Sequence, residues 1–110
     1  MDHPEESSIC VIYCTAPRDD SSRIARELVE RRLIACVNIT PVRSVYRWEG
    51  HICDESEDLL IIKTTRVQAE DLVSAIRGIH PYEVPEVIII PVSGGYQGYL
   101  DWVAGEVFDP

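Results

Sequence analysis

Two kinds of hydrophobic spacing alternate along this chain, and their order leaves few folds open. Ile9-Cys10-Val11-Ile12-Tyr13-Cys14-Thr15 is a nearly continuous apolar run, the pattern of a strand covered on both faces or lying centrally. Ala16-Pro17 ends it. Asp19, Asp20, Ser21 and Ser22 supply helix N-cap chemistry. Ile24, Ala25, Leu28, Val29 and Leu33 then recur at helical spacing. A long strand is predicted from Ala35 to Tyr46, with Pro41 marking a bulge or a free edge, because proline cannot donate to the ladder. Trp48-Glu49-Gly50-His51 reads as a tight reversal. The chain returns as a strand through Leu59-Leu60-Ile61-Ile62-Lys63-Thr64, with an interruption predicted at Asp54-Glu55-Ser56. A second helix, capped by Thr64 or Thr65, carries Ala69, Leu72, Val73, Ile76 and Ile79 on its inner stripe. Strand Val87–Ile90 and a short final helix over Tyr99–Val103 complete the order.

That order is β-α-β-β-α-β plus a terminal helix. It predicts an α+β fold of the ferredoxin-like kind, with an antiparallel sheet carrying two helices on one face. The hairpin from 35 to 64 is too long for a compact sheet whose strands average about 5–6 residues. Part of it must project as a ribbon. A projecting ribbon leaves apolar side chains and strand edges uncovered, so a closed homo-oligomer, a homotrimer, is expected.

Composition narrows the function classes. The chain has 110 residues, the size of one domain, and residues 9–110 read as that domain after a flexible N-terminus over 1–8. Acidic residues number 19 against 10 basic ones, for a net charge of −9. Such a surface repels phosphate, and no basic stripe is present, so nucleic acid is excluded as a partner. No apolar run approaches the ~18 residues of a membrane span, and no secretory pattern opens the sequence. A cytoplasmic protein without a membrane partner is expected. None of the four cysteines forms a C-x-x-C pair. Free thiols are expected. Cys10 and Cys14 share a strand face but sit roughly 13 Å apart, too far for a disulfide.

The segment Ile79-His80-Pro81-Tyr82-Glu83-Val84-Pro85-Glu86 joins the second helix to the last strand. Each proline fixes its own φ and pushes the residue before it toward extended geometry. His80 and Val84 are therefore held extended on a stiff corner. Such a corner places an imidazole at a sheet margin, where a site can form.

These residues carry a resemblance. Cys14-Thr15-Ala16-Pro17, Leu33-Ile34-Ala35-Cys36-Val37-Asn38, Ser44-Val45-Tyr46-Arg47-Trp48-Glu49-Gly50, Ile62-Lys63-Thr64-Thr65, His80 through Glu86, and Tyr99-Leu100-Asp101-Trp102 occur in one order along nearly the whole chain. In them the chain resembles the CutA divalent-cation-tolerance proteins. The resemblance implies a ferredoxin-like protomer, a tight trimer, and tolerance to copper and other divalent metals. The architecture also resembles the trimeric nitrogen-regulatory signal proteins.

In that family the proposed copper ligands are a cysteine ending the first strand and histidines at the corner. These positions fall on Cys14 and His80 here. Some members carry two adjacent histidines, whereas this chain has Ile79 before His80. Thiolate is a soft ligand suited to Cu⁺, and neutral imidazole suits Cu²⁺ and other divalent ions such as zinc. The competing readings are a buried cysteine acting as a small hydrophobe and a histidine hydrogen-bonded at a corner. Lys63, Tyr82, Glu83 and Glu86 are expected at an intersubunit cleft, with Trp48 on the ribbon beside it. Interfacial ion pairing and packing are their competing roles. No phosphate loop, nucleophile elbow or H-E-x-x-H occurs, so no enzymatic activity is expected. The leading expectation is a non-enzymatic trimer that binds copper or another divalent ion. The alternative is a trimeric signalling or scaffold module that recognises a small molecule or protein at the cleft.

Overall fold

The computed structural model describes residues 7–107. Its elements are β1 (Ile9–Ala16), α1 (Ser21–Glu30), β2 (Cys36–Trp48), β3 (His51–Thr65), α2 (Ala69–Ile79), β4 (Val87–Pro91) and α3 (Gln97–Glu106). The sheet order is β2-β3-β1-β4, and every pair is antiparallel. This is the ferredoxin-like α+β arrangement that the order of periodicities predicts.

Alternation along the strands divides the two faces. Cys10, Ile12, Cys14 and Ala16 of β1 and Leu60 and Ile62 of β3 point to one side. There they pack against Ile24 and Leu28 of α1 and Leu72 and Ile76 of α2. Removing each large side chain from water contributes about 1.5–3 kcal/mol, which makes this layer the main source of stability. On the other face α3 covers one end through Leu100 and Val103, which bury Ile9. The rest of that face stays open, and Tyr13, Ile88 and Ile90 are 36%, 49% and 36% exposed.

The ribbon projects as expected. β2 and β3 pair from Cys36–Lys63 out to Trp48–His51, whereas β1 covers β3 only from Asp58 onward. The molecule is 45 Å long, the reach of a strand of roughly 13 residues at about 3.3 Å each. Pro41 sits in one-to-one register with Asp58. The free-edge alternative holds, and no bulge forms, because β2 is an edge strand of this sheet.

Other expectations are corrected. Asp54-Glu55-Ser56 does not interrupt β3. Arg43 grips Asp54 with two hydrogen bonds of 2.8 and 2.6 Å, and the Tyr46 hydroxyl donates to Glu55 at 3.0 Å. Cross-strand partners thus offset the low strand preference of these acids on an exposed ribbon. The N-cap of α2 is Gln68, not a threonine. Thr64 instead donates its hydroxyl to Leu33 O at 2.7 Å. Thr65 stays in β3, and its hydroxyl and carbonyl oxygens receive the Gln68 N–H. The final helix is twice as long as the segment predicted for it. The expected flexible N-terminus falls largely on residues 1–6, outside the described residues. Ser7 is pinned, its N–H and hydroxyl reaching Val92 O at 3.0 and 2.8 Å.

The ribbon tip reverses through Glu49 and Gly50, at φ of 49° and 82°. Two successive left-handed residues form the turn that matches strand twist. A Cβ added at Gly50 meets nothing within 4 Å, so its penalty is backbone strain alone. Gly50→Val is therefore expected to destabilise the ribbon by about 1–2 kcal/mol. A lower urea midpoint, with amide protection lost first at the ribbon tip, checks this. An unchanged midpoint would refute it.

Candidate functional site: the cleft beneath the ribbon

The corner is built as its prolines require. α2 ends at Ile79, and His80 is extended at φ −80° and ψ 139°. Its N–H still reaches Ile76 O at 2.8 Å, closing the helix. Pro81 forces the chain outward from there. The imidazole turns back toward the sheet. Nε2–H donates to Thr15 O at 2.8 Å, and Nδ1 accepts the Tyr82 N–H at 3.1 Å. Because Nδ1 accepts from an amide, the proton belongs on Nε2. His80 thus latches the corner to the end of β1 through both ring nitrogens.

Cys14 lies alongside. Its thiol donates to the same carbonyl, Thr15 O, at 3.7 Å. The side chain is fully buried. Burial first, then the Glu86 and Glu57 charges, push its pKa up to about 12. At neutral pH it is a protonated thiol. The structure brings Cys14 and His80 together on one oxygen, but it offers neither as a ready ligand. A metal needs thiolate and a free ring nitrogen. Among the described residues no group of three or more histidine, cysteine or carboxylate side chains is placed to hold an ion. The pair does not constitute a formed metal site, and no second corner histidine is present to complete one.

Above this floor opens a cleft of about 730 Å³. Ser44, Val45, Tyr46, Trp48, Glu55 and Glu57 line it from the ribbon. Pro81 through Glu86 line it from the corner, with Thr15 at the bottom. Alternation explains the ribbon wall. Ser44 pairs with Glu55, so Tyr46 and Trp48 on one strand and Glu57 on the other share their face. Tyr82 ties the two walls together, donating its hydroxyl to Glu57 at 2.7 Å. Its ring lies 4.8 Å from that of His80. Burial first, then the Glu57 hydrogen bond, hold the Tyr82 phenol protonated well above its usual range. The hydrogen bond to Glu55 pushes Tyr46 up to about 12.

Trp48, Tyr82, Glu83 and Glu86, expected at an intersubunit cleft, line this space within one protomer, and Lys63 lies apart from it. Lys63 lies in the sheet opposite Val11 and Cys36, and its ammonium donates to Asn38 Oδ1. Glu55 and Glu57 were missed. The step of two between them marks one strand face, but that signal is hidden when Asp54–Ser56 is read as a break. All four cysteines are free thiols, as expected. No helix among the described residues is long and apolar enough to cross a membrane.

Comparison with known proteins agrees with this architecture. The profile of the CutA1 divalent ion tolerance protein family matches residues 10–106. The divalent-cation tolerance protein CutA of Thermus thermophilus is 43% identical over 95 residues, covering 84% of this chain and 92% of the relative. The chloroplastic protein CutA of Arabidopsis thaliana is 45% identical over 95 residues, covering 84% of this chain. That span is 52% of the plant protein, so this chain accounts for about half of its length. Among solved structures, CutA1 from Oryza sativa superposes with a TM-score of 0.90 at 37% identity, covering 96% of this chain and 99% of that one. The PII-like protein CutA from Nostoc gives 0.87 at 39% identity, with 90% and 97% covered. The likeness runs through every strand and helix of the core, and the chain belongs to the CutA1 divalent ion tolerance family.

Proposed function

We propose that the chain acts without catalysis, as a cytoplasmic homotrimer, and that its cleft holds positively charged ligands, divalent metal ions such as Cu²⁺ among them. One observation carries this reading. Four carboxylates, Glu55, Glu57, Glu83 and Glu86, line the cleft, and among the described residues no lysine, arginine or histidine does. A cleft of one charge with low-dielectric walls concentrates counter-ions. Carboxylate oxygens are ligands for hard divalent cations. Cys14 and His80 are the soft donors beneath the floor. Their recruitment requires His80 to leave Thr15 O and the thiol to lose its proton, which links copper uptake to pH. Copper, at the head of the divalent affinity order, is the metal best able to meet that cost.

Trimer formation draws support from the apolar surface left uncovered in one protomer. Val45 and Ile52 on the ribbon are each 64% exposed, and Tyr13, Ile88 and Ile90 lie on the open sheet face. Exposed apolar surface on both faces of the sheet marks association.

Titration calorimetry with Cu²⁺ tests the cleft. The double variant Glu57→Gln/Glu86→Gln is expected to bind about a hundredfold more weakly than the native chain, each lost charge contact costing about 1.4 kcal/mol. Native affinity in that variant, with loss in Cys14→Ala/His80→Ala, would move the metal to the thiol and imidazole. Native affinity in both would remove metal capture from this region. A second reading, recognition of a small molecule, is favoured by the size of the cleft and its aromatic and proline walls, which match sites for metabolite-sized ligands.

A further inference from the structure

We propose that the cleft takes an organic cation, specifically an aliphatic di- or oligoamine. The inference rests on the reading that this cleft is the binding site, and it names the ligand class. Three observations carry it.

The first is an unmatched charge. Glu57 lines the cleft yet is only 4% exposed. Its hydrogen-bond partner is the neutral Tyr82 hydroxyl. No ion pair reaches it from the described residues. A carboxylate this buried calls for a cationic partner, because desolvated charge is stable only when paired. The described residues supply no such partner, and a cationic ligand in the cleft would.

The second is dispersal. The cleft carboxylates do not converge on a point, since among the described residues no three ligating groups gather to hold one ion. They are spread along the walls. Glu55 and Glu57 stand two residues apart on one strand face, roughly 6.6 Å along β3. A bare metal ion concentrates its charge and asks for ligands around a single centre. A diamine with a four-carbon spacer carries its two ammonium groups at a comparable separation. It can serve two carboxylates at once.

The third is the wall chemistry. Trp48, Tyr46 and Tyr82 bring aromatic surface to the same space as the carboxylates. Ring faces attract ammonium and pack against methylene chains. Tyr46 and Tyr82 also hold Glu55 and Glu57 in place by donating to them. Hydrogen-bonded phenols orient the acids without neutralising them. Aromatic walls, fixed carboxylates and about 730 Å³ of space describe a seat for an extended cation.

The test uses the whole chain with Trp102→Phe, so that Trp48 is the sole tryptophan. Putrescine and spermidine are titrated at 150 mM NaCl while Trp48 fluorescence and heat are followed. Saturable binding with a change in Trp48 emission is expected. Glu57→Gln and Trp48→Ala, the latter read by heat alone, are each expected to weaken it at least tenfold, with oligomer mass unchanged. Failure of both amines to bind, with Cu²⁺ still binding in a Glu57-dependent way, overturns the amine inference and leaves the cation-binding reading standing. Failure of amines and metals alike overturns both. Amine binding indifferent to Glu57 and Trp48 would be diffuse attraction to an acidic surface, and it also overturns the inference. So would a Glu57→Gln variant that dissociates while no amine binds, for then a sister copy supplies the missing cation.

Discussion

Leu60→Ala is expected to lower the free energy of unfolding by about 3–5 kcal/mol. Leu60 is fully buried on β3, paired with Cys14 on one side and Ile39 on the other. It faces the helix layer, where Leu28, Leu72 and Ile76 are also fully buried. Truncation removes contacts on every side and leaves a void that a sheet held by neighbours across both edges cannot close. Domains are stable by only about 5–15 kcal/mol, so the change consumes a large share of the total. Urea unfolding at fixed protein concentration reads it as a lower midpoint with an unchanged slope. Glu30→Ala, exposed on α1, is the control and is expected to shift stability by less than about 0.5 kcal/mol. A loss below about 1 kcal/mol at Leu60 would mean that the two layers are not packed as described.

Shortening the ribbon is expected to turn the proposed trimer into single protomers. Arg43 and Ser56 face each other across β2 and β3. Residues 44–55 can be replaced there by Asn-Gly, a two-residue turn suited to the strand twist. The core should survive, because β1 meets β3 only from Asp58 onward. The excised piece carries Val45 and Ile52, whose exposed apolar surface is the material for contact between copies. Sedimentation equilibrium should fall from three times the native 12.4 kDa to one protomer of the shortened chain. A shortened chain that still sediments as a trimer would take the ribbon out of the interface. A native chain already single at micromolar concentration would remove the trimer itself.

Much of the fold was legible because its signals are short-range. The continuous apolar run Ile9–Thr15 reappears as a central strand, and the helical stripes of Ile24, Leu28, Leu72 and Ile76 reappear as the layer packed on it. The reversal at Glu49-Gly50 was legible because left-handed turns favour glycine. Errors arose where local preference met a partner across the ribbon. Asp54 and Glu55 are poor strand formers in isolation, but Arg43 and Tyr46 hold them in register. Thr64 has cap chemistry, yet its hydroxyl is taken by Leu33 O, far back in the chain.

The sequence by itself determined the order of elements, the excess length of the hairpin, the stiff corner at His80-Pro81 and, through its motifs, the family. Each of these depends on periodicity, proline geometry or ordered motifs, which can be read along a single line. Only the tertiary structure decided what the site residues do. His80 spends Nε2 on a carbonyl 65 residues away, and Tyr82 reaches a carboxylate 25 residues away. Those partners withhold the imidazole as a free ligand, bring Glu57 into the cleft of the protomer, and leave it a buried acid without a counter-charge among the described residues. Hydrogen bonding and desolvation act through space between segments that spacing cannot pair, so the chemistry of the cleft appears only once the chain is folded.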